Sequence, residues 1–181
     1  HRLGLFLKDF RGIGGAVVDS YQEFMYISDA IRDEHEELFY SLAPKIFGDA
    51  VLVSHAIVSQ WDKDRPMTLS AAGIDRLRKR LPDTLLVTDD MQMQGLQKAL
   101  GTREAGLQSL KAGMDMLCIG NNLFDQEPRA TAQILEHVGG DELGAARVEM
   151  VLEHQAQTDF VQTPRRLDRG HRPRASAQGI E

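Results

Sequence analysis

LLVTDDMQMQG, residues 85–95, decides how the rest of the chain is read. Leu85, Leu86 and Val87 are an apolar run of strand type, and the run ends in two adjacent carboxylates, Asp89 and Asp90. Burying a charge without partners is costly. Two acids at the end of a core strand therefore either mark a site at the strand's mouth, or only end the strand and cap the helix that follows. The neighbouring segments decide between these readings.

Working outwards, strand-like and helix-like stretches alternate. LGLFLKDF (3–10), AVLVSH (50–55), TLLVTDD (84–90) and MDMLCIGNN (114–122) are apolar runs of strand length. Between them, RDEHEELFYSLAPKIF (32–47) reads as a helix burying Leu38, Phe39, Leu42 and Ile46. AAGIDRLRKRL (71–81) reads as a helix capped by Ser70, with Ile74, Leu77 and Leu81 on its inner face. REAGLQSLKAG (103–113) is a third, stopped by Gly113. QEPRATAQILEHVGG and DELGAARVEMVLEHQ read as two closing helices. Alternation of this kind predicts a parallel sheet flanked by helices. Continuous apolar strands agree, because parallel strands are covered on both faces. All four runs carry polar residues at or next to their C-terminal ends, as KDF, SH, TDD and GNN, and α/β barrels and doubly wound sheets place their sites at that end.

The fold expected is α/β, the C-terminal half of a (β/α)8 barrel, since four strands are half of eight and the chain is shorter than the ~250 residues of a complete barrel. Residues 1–160 are the expected barrel portion, with its first half outside this sequence. Residues 161–181 are the expected basic, mobile tail, with Arg165, Arg166, Arg169, Arg172 and Arg174 and little apolar pattern. The net charge of −6 argues against general nucleic-acid binding. One cysteine, Cys118, excludes a disulfide framework and a cysteine-rich metal site. No apolar run is long enough to span a membrane.

Four pieces then become specific together: VSHAIV with WDKDRPMTLS (53–70), the helix after it, LLVTDDMQMQGL, and EAGLQSLKAGMDMLCIGNNL. In that order and spacing the chain resembles glycoside hydrolase family 3, in its bacterial β-N-acetylglucosaminidase branch, over the later half of the barrel domain. The resemblance implies hydrolysis of β-linked N-acetylglucosamine by a retaining mechanism, with cell-wall fragments as substrates. It implies Asp89 as the nucleophile and Asp90 as an orienting neighbour. A retaining glycosidase needs a carboxylate beneath the anomeric carbon to trap an oxocarbenium-like species. No cofactor and no metal are implied. The partners expected are a small carbohydrate containing N-acetylglucosamine and a half-barrel from the same or another chain; the location expected is cytoplasmic.

The same family carries a glycine-rich K-H-F-P-G-H-G loop followed by D-[ST]-H, whose last His, paired with the Asp, is the general acid/base. Here the loop reads LKDFRGIGGAVVDSY (7–21). Lys8, Phe10, Gly12, Gly14, Asp19 and Ser20 match. Asp9 replaces a sugar-holding His, Ile13 the middle His, and Tyr21 the acid/base His. The substitution matters chemically: tyrosine titrates near about 10 and histidine near about 6.5. General acid–base help is worth ~10²–10⁴-fold, so Asp19 and Tyr21 form an impaired acid/base position on a loop expected to be flexible over 11–24. The competing reading is a catalytically inactive barrel that binds a sugar or a protein. Lys8, Asp9, His55, Met93 and Asn121 are the candidate substrate contacts. Asn121 and Asn122 are equally ordinary turn residues, and His55 equally a histidine satisfying local backbone groups. Asp64 and Arg65 read as a solvated loop pair. Met91, Met114 and Met116 read as packing, and Glu34–Glu37 with His35 as an acidic first helical turn.

Overall fold

The computed structural model describes residues 6–10, 19, 22–27, 33–45, 50–120, 133–134, 149–152 and 159–162. In chain order they form β1 (Phe6–Phe10), β2 (Tyr26–Ile27), α1 (Asp33–Leu42) continued by a 3-10 turn at Ala43–Lys45, β3 (Ala50–Val53) and β4 (Ile57–Val58). A second 3-10 turn (Met67–Leu69) leads into α2 (Ala71–Arg80), then β5 (Leu85–Asp90), α3 (Gln94–Ala99), α4 (Thr102–Ala112), β6 (Met116–Ile119), β7 (Glu149–Leu152) and β8 (Asp159–Gln162).

β1, β3, β5 and β6 lie side by side in that order, each parallel to the next. Helices connect them, so the domain is the α/β type expected, and sequential parallel strands are the wall of an α/β barrel. Two apolar clusters lie on the sheet. One gathers Phe10, Val51, Val53, Met67, Ile74, Leu77 and Leu86 with Trp61 and Phe39 at its margin; the other holds Leu69, Met91, Leu96, Leu107, Leu117 and Ile134. Phe10 is fully buried and meets Phe39 edge-on at 5.1 Å between ring centroids, a favoured aromatic geometry.

Local chemistry sets the helix ends. The Ser70 hydroxyl accepts the Gly73 N–H at 3.1 Å, satisfying one of the donors that the first turn of α2 leaves open. Arg78, Lys79 and Arg80 fill its last turn, where the carbonyl end of a helix favours cations. Gly113 ends α4 with φ of 106°, a left-handed conformation that a side chain would oppose. At the opposite end of the sheet from the acid pair, Arg78 donates to the carbonyls of Thr84 (2.6 Å) and Gly113 (3.2 Å) and to the Asp115 carboxylate. Asp115 also accepts the Leu86 N–H at 2.8 Å. One buried ion pair thus ties α2, the start of β5 and the turn after α4 together.

Two expectations are corrected. In α1 and the turn that continues it the inner face is Glu36, Tyr40 and Ala43, with Phe39 half-buried, whereas Leu38 and Leu42 are 56% and 36% exposed. Both sets recur at helical spacing, and tertiary partners choose between them. The Tyr40 hydroxyl donates to Glu36 Oε2 at 3.1 Å, and Arg76 lies 4.0 Å from that oxygen. Glu36, read from the sequence as part of an acidic first helical turn, is therefore a buried carboxylate. Ile46, on the same expected face, lies outside the described residues.

Second, residues 149–152, expected in a closing helix, form β7. β8 pairs antiparallel with β6, and β7 antiparallel with β8. Val151, Phe160 and Val161 are of strand-favouring types; β8 pairs along the outer side of β6, and β7 along the outer side of β8. β8 also runs across residue 160, where the barrel portion was expected to stop. Of the other expected closing helix, Gln133 and Ile134 are helical.

Candidate functional site

The site is built from irregularities at the carboxyl ends of the parallel strands. In the β5–β6 pair, Val87 lies opposite Met116 and Asp90 opposite Cys118, so β5 carries one residue more than β6 over this interval. In the β1–β3 pair, Leu7 lies opposite Val51 and Phe10 opposite Val53, which gives β1 the extra residue. Such bulges re-aim side chains and are frequent beside active sites. Asp89 falls within the first and Lys8 and Asp9 within the second. Asp9 has φ of 66°, a conformation that aspartate tolerates better than most residues. Its carboxylate lies 3.2 Å from the Lys8 ammonium.

Because the ladder is interrupted there, side chains fix the end of β5. Thr88 Oγ1 accepts the Cys118 N–H at 3.0 Å. Asp89 Oδ1 accepts the N–H of Asp90 at 2.9 Å. Asp90 Oδ1 accepts two N–H groups, from Gln92 and Gly120, both at 2.9 Å. The helix that follows, α3, begins after Met93, with no side-chain cap. Asp90 therefore does not cap it. Asp90 fastens the exit of β5 to the exit of β6, while Asp89 keeps an intermediate exposure at the rim. Cys118 stands beside both acids, and burial, with their negative charge, pushes its thiol up to about 12; it remains a neutral thiol.

His55 lies behind the pair, 4% exposed. Its Nε2 is 2.9 Å from the Asp90 main-chain carbonyl and its Nδ1 is 2.7 Å from the Thr68 hydroxyl. A carbonyl only accepts, so Nε2 carries the proton and Nδ1 accepts from Thr68. Burial lowers the pKa of His55; the negative charges of Asp89 and Asp90 work against that shift. Both ring nitrogens are thus engaged within the protein. Met93 is buried at the start of α3. Asp64 and Arg65 are exposed, their backbone N–H groups held by Asp62 Oδ1 at 3.1 and 3.2 Å.

The segment carrying Asp19 is held against the same end of the sheet. The Asp19 carbonyl accepts the N–H groups of Gln22 (3.0 Å) and Glu23 (3.2 Å), and its carboxylate accepts Gln22 Nε2 at 3.0 Å. Downstream, β2 pairs with β4 and the Met25 carbonyl accepts the Ile57 N–H at 2.8 Å. Lys98 donates to the Gln22 carbonyl at 3.3 Å. A Cβ on Gly95, in the first turn of α3, would stand a tight 3.1 Å from the Phe24 nitrogen, so the missing side chain lets the segment pack closely on that turn. Residues 22–27, partly within the loop expected to be flexible, are therefore fastened to β4 and α3. Tyr21 and Asn121 lie outside the described residues.

Thr68, Thr88, Gln92 and Gly120 were not singled out from the sequence. Thr68 lies in the DRPMTLS motif, the one signal that pointed to it. Gly120 has a steric signature instead: a Cβ there would stand 2.8 Å from Asp90 Cγ and closer still to its Oδ2. Gly120→Ala is expected to displace the Asp90 carboxylate and cost about 1–3 kcal/mol, read as a lower urea midpoint. An unchanged midpoint would show that the carboxylate has room to move.

A groove of about 430 Å³ between α1 and α2, lined by Glu36, Glu37, Tyr40, Arg76, Lys79 and Arg80, contains no strand-end residue. Its charges pair with one another, Arg80 with Glu37 at 2.9 Å. Among the described residues no group of His, Cys, Asp and Glu is arranged to hold a metal ion, and no helix is long and apolar enough to cross a membrane.

Parallel βα units with carboxylates and a fastened loop at the strands' carboxyl ends define a domain of the α/β barrel class. The chain belongs to glycosyl hydrolase family 3, its residues 5–156 matching the model of that family's N-terminal domain. It is 27% identical over 138 residues to a β-hexosaminidase of Photobacterium profundum, an alignment covering 71% of this chain and 41% of that one. Its fold superposes on a family 3 β-N-acetylglucosaminidase from Paenibacillus with a TM-score of 0.59, at 19% identity over 83% of this chain and 34% of that one. A β-N-acetylhexosaminidase from Beutenbergia cavernae gives a TM-score of 0.60 at 24% identity, covering 74% and 39%. The chain spans about two fifths of the length of the curated relative.

Proposed function

We propose that this chain is the later half of a retaining family 3 β-N-acetylglucosaminidase barrel, with Asp89 as its nucleophile. The observation that carries the reading is the placement of Asp89: on a bulge, half-buried at the rim, its neighbour Asp90 locked by two backbone N–H groups. A carboxylate oxygen of Asp89 attacks the anomeric carbon as the glycosidic bond breaks. The leaving oxygen takes a proton, and water then hydrolyses the glycosyl ester. Asp19 and Tyr21 occupy the acid/base position, where a phenol is a weak proton donor at neutral pH. We assign Lys8 and Asp9, on the second bulge, to contacts with sugar hydroxyls. A further half-barrel, from the same or another chain, completes the wall on the β1 side; among the described residues β1 pairs only with β3. Cell-wall fragments are the substrates and the cytoplasm the location we assign.

Release of nitrophenol from an aryl β-N-acetylglucosaminide by the full-length protein tests this. An aryl leaving group needs little protonation, so it reports the nucleophile apart from the weakened acid. With an alkyl glycoside, which needs the acid, Tyr21→His is expected to raise kcat by about 10²-fold, the lower end of general-acid help. The replacement of histidine by Tyr21 also favours a second reading, a barrel that binds a sugar or protein without turnover. Sugar binding with no hydrolysis of the aryl substrate would establish that reading instead.

A further inference from the structure

We infer that His55, held by Thr68, is a positioning residue for the acid pair: a neutral imidazole whose Nε2–H fixes the Asp90 carbonyl and with it the Asp90–Met91 peptide, at which the chain leaves the pair. The inference rests on the nucleophile assigned above to Asp89, but the arrangement itself is geometric.

Three observations converge on it. The β5–β6 ladder is interrupted at Thr88 and Asp89, so strand pairing alone does not set the direction of the Asp89 side chain. The Asp90 N–H is already used by Asp89 Oδ1 and the Asp90 carboxylate by Gln92 and Gly120. The remaining polar group of that residue, its main-chain carbonyl, accepts the Met93 N–H at 3.1 Å and meets His55 Nε2, the one side chain on it, at 2.9 Å. Finally, the hydroxyl that fixes the ring's tautomer comes from Thr68, which is fully buried and sits in the turn leading into α2. A chain of neutral groups therefore runs from the entrance of α2 to the exit of β5.

The charge state matters as much as the position. An imidazolium here would face Asp89 and Asp90 and draw electron density from the attacking carboxylate. A neutral ring, which burial favours, orients the backbone without damping the nucleophile. The chain thus supplies a directed dipole in place of a cation. A misplacement of about 1 Å in a reacting group costs about 10²-fold in rate, which gives the scale of the effect.

The test uses paired variants of the full-length protein on the aryl substrate. His55→Gln keeps an N–H near the place of Nε2, whereas His55→Asn does not; Thr68→Ser keeps the hydroxyl, whereas Thr68→Val does not. His55→Asn and Thr68→Val are expected to lower kcat by about 10²-fold with KM little changed, while His55→Gln and Thr68→Ser keep most of it. Equal kcat across the four, or losses that simply track the melting temperature, overturn the inference. Asp89→Asn serves as the separate control: full activity there sinks the nucleophile assignment and says nothing against the hydrogen bonds of His55. Should the wild type show no turnover, long-range proton–nitrogen correlation of the His55 ring decides. A neutral ring protonated at Nε2 below pH 6.5, the ordinary value for histidine, and altered in Thr68→Val, supports the arrangement. An imidazolium under those conditions overturns it.

Discussion

Asp89→Asn is expected to lower turnover of the aryl β-N-acetylglucosaminide by at least about 10³-fold, as loss of a nucleophile does in other covalent mechanisms. The substitution changes one heavy atom. Its amide oxygen still accepts the Asp90 N–H that Asp89 Oδ1 accepts at 2.9 Å, so the bulge is kept and the protein should melt close to the wild type. What is lost is the anionic oxygen that forms the glycosyl ester. Acid quench during turnover, followed by intact mass measurement, gives a second readout. The wild type should carry the mass of one sugar residue, and Asp89→Asn should not. Full turnover in Asp89→Asn would place the nucleophile elsewhere, and a sugar adduct surviving in that variant would do the same.

Asp115→Ala is the substitution with the largest expected effect on stability. It leaves the Arg78 guanidinium, only 22% exposed at its side chain, without its anion, and strips the Leu86 N–H of its 2.8 Å acceptor. Breaking one side of a buried pair costs about 3–5 kcal/mol. Arg78 keeps two carbonyl acceptors and some access to water, which puts the expectation near the lower bound, about 3 kcal/mol. Urea denaturation followed by tryptophan fluorescence measures it, since Trp61 packs at the margin of the larger apolar cluster. A loss under about 1 kcal/mol would show that the pair is screened like a surface bridge. The acid pair lies at the other end of β5, so the variant should retain kcat under conditions where it is folded.

Much of this fold was legible because it rests on local rules. Ser70 caps α2 and Gly113 ends α4 for reasons that three or four residues contain. The parallel sheet followed from apolar runs separated by helical spacing. The family likewise was readable from the order of its motifs. The parts that were not legible depend on distant partners. Glu36 reads as one more acid of the first turn of α1 until Arg76, from α2, is brought to it beside Tyr40. Leu38 and Leu42 look like core until that pairing turns α1 the other way. β7 has a helical pattern, yet its place is set by β8, which in turn is set by β6. At the site, Asp89 and Asp90 announced themselves as a charged end to an apolar strand. Nothing in the residues themselves says that His55 would meet the carbonyl of Asp90 rather than open space.

The two extra residues, on β1 and β5, also have a bearing on how this sequence tolerates change. Side chains on a strand alternate between faces, so the count of residues before a position, and not only its identity, decides where it points. Removing Thr88, between Val87 and the acid pair, would restore an even pairing with Met116–Cys118 and exchange the faces of everything downstream up to the next turn. The acid pair would survive in composition and be lost in direction. At these two places the chain is sensitive to parity, much as a message is to its reading frame: conservative exchanges are absorbed, and a single omission is not.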